Sequence, residues 1–187
     1  VSYVLCLVEI IEQAFEDDHL ESHPSGWSPQ AVYGCSAGST GAGMVLAAAA
    51  LGADYPIRHV APIVWPWDTR EEMARIATEA GERIGVEVSC ASGDIELHEE
   101  YVGAGYGEVT PGCLEAMAVL ARTEGILVDP SYSGKALAGL IDHIRSGRLD
   151  PDRPVVFVHT GGTPALFAYN EILAEQISAR RLPDAGV

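Results

Sequence analysis

Apolar positions near the start of the chain fall on one helical stripe: Val4, Leu7, Val8, Ile11 and Phe15. Glu9, Glu12 and Glu16 lie off it, so the spacing predicts an amphipathic helix that needs a partner surface. Residues 17–29 are polar, carry two prolines and read as a loop. Residues 31–35 are a continuous apolar run, as expected of a strand buried on both faces. Small residues at 36–40 turn the chain into an Ala-rich helix over 41–51 that stops near Gly52. Residues 58–65 read as a second strand, weakened by Pro62. Asp68 with Glu71 resembles a capping box, opening a helix with Met73, Ile76, Ala77, Ala80 and Ile84 on one face.

Residues 86–109 are irregular, with a short strand expected at 86–89 and a Gly/Tyr-rich loop at 101–107. Thr110 caps the next helix, with Pro111 at its first position, and the helix runs to about Arg122. Residues 126–128 read as a strand. Ser133 can cap a helix with Leu137, Leu140, Ile141 and Ile144 on one face, and Gly147 ends it. Residues 155–159 are another continuous apolar strand, and Gly161-Gly162-Thr163-Pro164 leads into a last helix with Ala165, Ala168, Tyr169 and Ile172 inward. The expected order is α-β-α-β-α-α-β-α-β-α, without hairpin signals or an internal repeat. It predicts an α/β fold, a doubly wound, mainly parallel sheet with helices on both faces. Ligands in such sheets sit beyond the carboxyl ends of strands. Four segments fall there, at 36–41, 65–68, 129–133 and 159–163.

At 187 residues and 48% hydrophobic content the chain suits a single α/β domain over 1–187. It begins without Met in mid-pattern, and reads as a piece of something longer. The net charge of −16 makes nucleic acid and anionic membranes poor partners. No apolar run reaches membrane-spanning length. The four cysteines are scattered and form no CxxC, as in a reduced, cytoplasmic protein. Lys135 is the only lysine. His19, Glu21 and His23 could gather a metal ion, but a solvated loop is the preferred reading and no metal is assigned.

The turn at 36–43, Ser-Ala-Gly-Ser-Thr-Gly-Ala-Gly, carries the clearest chemistry. A small-residue turn between strand and helix leaves backbone N–H groups unpaired at the positive end of the helix dipole, a socket for a phosphate dianion. The spacing GxxGxG is not the dinucleotide fingerprint, and no Walker lysine is present. Gly34-Cys35-Ser36-Ala37-Gly38 is also a literal GxSxG, with Asp129 and His159 following in the order of an α/β-hydrolase triad. Too little chain precedes Ser36 for that fold, so a serine hydrolase is the lesser reading.

Four segments act together: the 36–43 turn, Tyr101-Val102-Gly103-Ala104-Gly105-Tyr106-Gly107, the stretch 124–136 with Asp129-Pro130-Ser131-Tyr132-Ser133-Gly134-Lys135, and His159-Thr160-Gly161-Gly162-Thr163-Pro164. In this order they resemble the pyridoxal-phosphate enzymes of the D-cysteine desulfhydrase and 1-aminocyclopropane-1-carboxylate deaminase family, with a tryptophan-synthase-β-like fold. The resemblance implies that Ala37, Gly38, Ser39 and Thr40 hold the phosphate of pyridoxal 5'-phosphate. It implies catalytic roles on the substrate side for Tyr106 and Tyr132, contact of Ser133 with the pyridine nitrogen, and Thr160 and Gly161 along the ring. Deaminases of the family carry Glu where Ser133 stands; desulfhydrase-like members carry a neutral hydroxyl. A hydroxyl makes the ring a milder electron sink, suited to β-elimination from a small sulfur-containing amino acid such as D-cysteine or cysteate. The alternatives are a 1-aminocyclopropane-1-carboxylate deaminase, and a non-catalytic fragment that still binds a phosphate ligand. Family members hold the cofactor covalently through a lysine in an N-terminal segment, before a smaller inserted domain, and are commonly homodimers; the resemblance thus implies that residues 1–187 are a C-terminal fragment lacking that lysine segment and the small domain. Lys135 stands at a position the family uses for structure.

Overall fold

The computed structural model describes residues 1–16 and 28–179. The elements are α1 (Ser2–Glu16), β1 (Val32–Cys35), α2 (Ser39–Leu51), β2 (Ile57–Val60), α3 (Thr69–Ile84), β3 (Glu96–His98), α4 (Pro111–Thr123), α5 (Ser133–Arg145), β4 (Val156–Val158) and α6 (Asn170–Ala179). Short 3-10 turns precede β3 and α6. His19, Glu21 and His23 lie outside the described residues.

The four strands form one parallel sheet in the order β3-β2-β1-β4. Val32 pairs with Ile57 on one side and Val156 on the other. The chain works outward from β1 through β2 to β3, then crosses back to place β4 against the free side of β1. That reversal is a topological switch point, and a crevice opens above the carboxyl ends of β1 and β4.

Alternation along the strands feeds two cores. Val32, Val156 and Val158 face one layer with Leu7, Met44, Leu46 and Met73, which joins α1, α2 and α3. Ala31, Tyr33, Val155 and Phe157 face the other, with Ala116, Val128, Leu137 and Leu140 from α4, α5 and the segment between them. Helices therefore cover both faces, as the fully buried apolar run of β1 requires, while β4 at the sheet edge is half-buried. The start of α2 lies very close to its neighbours. A Cβ on Gly41 would meet His59 at 2.9 Å, and one on Gly43 would meet Tyr3 Cβ at 3.1 Å. Only glycine lets this helix sit so near β2 and α1.

Capping follows the sequence closely. The Asp68 side chain accepts from Arg70 N and Glu71 N, and Thr110 Oγ1 accepts from Cys113 N. Gly52 and Gly85 close α2 and α3 in the left-handed conformation. Three expectations change. Residues 86–89 form no strand: Val86 N bonds to Gly81 O and Val88 N to Val86 O, folding the segment back over the end of α3. The third strand is Glu96–His98 instead, a three-residue element with only Leu97 buried, too short to leave a period. It precedes α4, so the order is α-β-α-β-α-β-α-α-β-α. Residues 126–128 are not a strand and join no ladder; Leu127 O is taken by the His159 ring. The second strand ends at Val60, after one further ladder bond from Ala61 N, because Pro62 has no N–H to give.

Candidate active site

A cleft of about 370 Å³ opens at the switch point. Ser36, Ala37, Gly38, Ser39 and Thr40 line one wall, and Tyr132, Thr160, Gly161 and Gly162 the other. Tyr3, Cys35 and Pro62 complete the lining. Cys35, Val60 and Ala136 pack together beneath it. Of the four segments expected to converge, three do. The fourth contributes only Trp65, whose indole Nε1 donates to Ala37 O at 3.3 Å, while Asp68 is spent capping α3.

The loop at 36–40 is built around Ser36. Its Oγ accepts from Gly41 N at 2.8 Å and Gly38 N at 3.2 Å. This hydroxyl holds the turn and leaves other amides open. Among the described residues the N–H groups of Ala37, Ser39 and Thr40 have no hydrogen-bond partner. A Cβ on Gly38 would meet nothing within 4 Å. Unpaired amides, two hydroxyls and the positive end of α2 together suit a dianion, with no cation required.

The hydrolase triad is not assembled. The His159 ring is bonded to Gly161 N, Leu127 O and, at 3.4 Å, Ser133 Oγ. The Asp129 carboxylate accepts from the amides of Ser131, Tyr132 and Ser133, each at 2.8 Å. Neither reaches Ser36, so among the described residues no base is bonded to its hydroxyl.

Asp129, which the sequence offers as a triad member, is instead the main organising residue of this wall. It is fully buried and caps α5 from four residues upstream of Ser133. The cap residue by conformation is Tyr132, and Ser133 is the first helical residue rather than the N-cap. Gly162 (φ +97°) rests against the same carboxylate, where any Cβ would collide with Oδ1. Asp129 therefore ties both sides of that wall together. Ser133 is 1% exposed, and its Oγ donates to Gly161 O at 2.9 Å, just behind the lining.

Tyr106 does not line the cleft and is exposed, but its hydroxyl hydrogen-bonds that of Tyr132 and the rings meet edge to face. That bond, followed by burial, pushes the Tyr132 phenol up to about 12. Burial, with the charge of Asp129, pushes the Cys35 thiol up to about 12, so it is no nucleophile at neutral pH. The loop carrying Tyr106 is fixed from below. Lys135, fully buried, donates from Nζ to Val102 O at 2.7 Å and Gly105 O at 3.1 Å. Tyr169 donates to Gly107 O and bonds Ser131 Oγ. A lone lysine three residues past Tyr132 was the available signal, but sequence spacing does not say which carbonyls it meets.

Unpaired amides at the start of α2, a cleft and a paired-tyrosine rim at the switch point of a parallel sheet make an α/β scaffold suited to an anionic ligand. Residues 59–161 match the family described as pyridoxal-phosphate dependent enzyme, and the chain belongs to that family. Its cofactor is pyridoxal 5'-phosphate. The 1-aminocyclopropane-1-carboxylate deaminase of Burkholderia vietnamiensis is 41% identical over 138 residues, 74% of this chain and 41% of that protein. That of Burkholderia cenocepacia is 42% identical over 135 residues, 72% of this chain and 40% of that protein. A crystal structure described as an ACC deaminase homologue superposes with a TM-score of 0.75 at 27% identity, covering 92% of this chain and 48% of that one. The fold is thus tryptophan-synthase-β-like, and the chain spans about 40% of the length of these curated relatives. No helix among the described residues is long and apolar enough to cross a membrane.

Proposed function

We propose that Ala37, Gly38, Ser39 and Thr40 bind the phosphate of pyridoxal 5'-phosphate, that Ser133 serves its pyridine nitrogen, and that Thr160 and Gly161 flank the ring. The unpaired amides of Ala37, Ser39 and Thr40 support the first assignment. The position of Ser133 behind Gly161 supports the second. To donate to a ring nitrogen, the Ser133 hydroxyl turns its proton away from Gly161 O, at the cost of one neutral hydrogen bond, about 1 kcal/mol. The bound cofactor supplies the electron sink that lets an α-proton leave. Tyr132, kept protonated by Tyr106, donates a hydrogen bond or a proton at the substrate side, and the pair excludes water there.

The reading the geometry supports best is β-elimination from a small sulfur-containing amino acid, D-cysteine or cysteate. The products are pyruvate, ammonia, and sulfide or sulfite. The single observation carrying it is the uncharged Ser133, buried, whose hydroxyl meets only Gly161 O and His159 Nδ1 and no carboxylate among the described residues. Deamination of 1-aminocyclopropane-1-carboxylate is the second reading, favoured by the names of the curated relatives. The full-length protein, loaded with cofactor, is offered D-cysteine, L-cysteate and 1-aminocyclopropane-1-carboxylate, and the 2-oxoacid formed is identified. Pyruvate from a sulfur substrate supports elimination. 2-Oxobutanoate as the dominant product replaces it with the deaminase reading.

The chain is, in our reading, the C-terminal part of the large domain of a homodimeric cytoplasmic enzyme. Lys135 is buried and does not line the cleft, so the covalent lysine belongs to another segment. The edge strand β4 is only half-buried, and Leu127 and Phe167 are exposed, an apolar margin that suits coverage by further chain.

A further inference from the structure

A second cluster of chemistry-bearing side chains lies where β3 ends and α5 closes, at the root of the loop that carries Tyr106. His98 is the last residue of β3, Glu100 follows two positions on, and His143 sits in the last turn of α5. One ligating atom from each can be chosen so that all three lie within 4.8 Å of one another. The His98 Nδ1 to Glu100 Oε1 distance is 3.2 Å. Two ligands on a tetrahedral zinc ion stand about 3.3 Å apart, given metal–ligand bonds of about 2.0 Å. That pair is already at the required separation, and the widest separation in the trio, no more than 4.8 Å, has at most about 1.5 Å to close.

Each imidazole is held from behind. His143 Nδ1 bonds Tyr33 Oη at 2.5 Å, and His98 Nε2 faces Glu96 Oε1 at 3.3 Å. Arg58 joins these two supports, with Nε 2.7 Å from Glu96 and Nη1 3.1 Å from Tyr33 Oη. A closed ring of partners thus orients both histidines from the far side, the arrangement that fixes tautomer and basicity at histidine metal sites. A cation already stands at the near side. Arg148 Nη1 lies 2.8 Å from His143 Nε2 and 3.8 Å from Glu100 Oε1. A guanidinium only donates, so His143 Nε2 presents a lone pair toward the cluster. Arg148 is half-exposed and free to swing outward.

We propose that His98 Nδ1, Glu100 and His143 Nε2 form a binding site for a divalent transition-metal ion of the zinc class, and that Arg148 takes the ion's place when no metal is bound. Two imidazoles and one carboxylate select such ions over magnesium or calcium, and leave a fourth position for water. The ion pins the end of β3 to α5 and stiffens the base of the 101–107 loop.

The chain, freed of metal with a chelator, is titrated with Co²⁺ alone. The expected result is one equivalent giving the visible bands of a four-coordinate nitrogen/oxygen site, with no thiolate charge-transfer band, displaced by one equivalent of Zn²⁺. His98→Gln, at a partly buried position, and Glu100→Gln, at an exposed one, each weaken binding at least tenfold. Arg148→Ala tightens it severalfold, which a purely hydrogen-bonded network does not do. Absent cobalt bands, a thiolate band, or affinity unmoved in His98→Gln each overturns the proposal. None of these outcomes depends on pyridoxal phosphate.

Discussion

Replacing Lys135 with Met keeps the length and apolar stem of the side chain and removes only the ammonium. Two acceptors lose their donor. Val102 is buried, so its carbonyl keeps no water partner, a loss of about 1–3 kcal/mol. Gly105 is half-buried, so its carbonyl regains water and costs little. Relief of the buried charge offsets part of this, since burial already lowers the Lys135 pKa. The expected net destabilisation is about 2 kcal/mol, or roughly 4–8 °C in Tm for a chain of this size. Hydrogen exchange should localise the change, with amides of 101–107 exchanging faster while those of β1 and α2 do not. Affinity for pyridoxal phosphate should change less than twofold, because Lys135 does not line the cleft. A Lys135→Met chain with unaltered Tm and unaltered exchange in 101–107 would refute the strut. Loss of cofactor binding with normal stability would instead make this lysine a cleft residue.

Other outcomes follow from the same geometry. Gly162→Ala should cost at least about 2 kcal/mol, from a positive φ and a collision with the Asp129 carboxylate, whereas Gly38→Ala, extended at φ 178° with open space around it, should stay within about 0.5 kcal/mol; urea unfolding of both decides. His59 is fully buried, and burial lowers its pKa to about 4 from 6.5. The unfolded chain therefore binds the proton first, so stability is complete above about pH 6.5 and falls toward pH 4 by roughly 3 kcal/mol. His59→Leu should flatten that part of the pH–stability curve, and an unchanged slope removes His59 as its source. Ser36→Ala should destabilise by about 2 kcal/mol and weaken phosphate binding, because two loop amides lose their acceptor. A fluorophosphonate probe should leave Ser36 of the parent chain unlabelled.

Much of the architecture was readable because burial on both faces leaves a continuous apolar run, as at 31–35, and because caps such as Asp68, Thr110 and Gly52 are local chemistry. The 36–40 turn was readable for the same reason: small residues between a strand and a helix admit few conformations. What escaped depends on contacts distant in sequence. Glu96–His98 becomes a strand only because Arg58, His59 and Val60 stand beside it. Asp129 resembles a triad member until its carboxylate is seen to hold three amides. The His98–Glu100–His143 cluster joins positions more than forty residues apart, and Lys135 finds its acceptors some thirty residues upstream. Of the 65–68 segment, only the Trp65 indole touches the cleft wall, through its bond to Ala37 O.

Because one carboxylate anchors the start of α5 and also props Gly162, that side of the crevice behaves as a single slab. Any breathing that admits or releases a ligand must then come from the opposite margin or from the exposed Tyr106 ring. Inheritable variation in ligand preference is steered toward those same movable parts, since altering the slab at one point disturbs it everywhere.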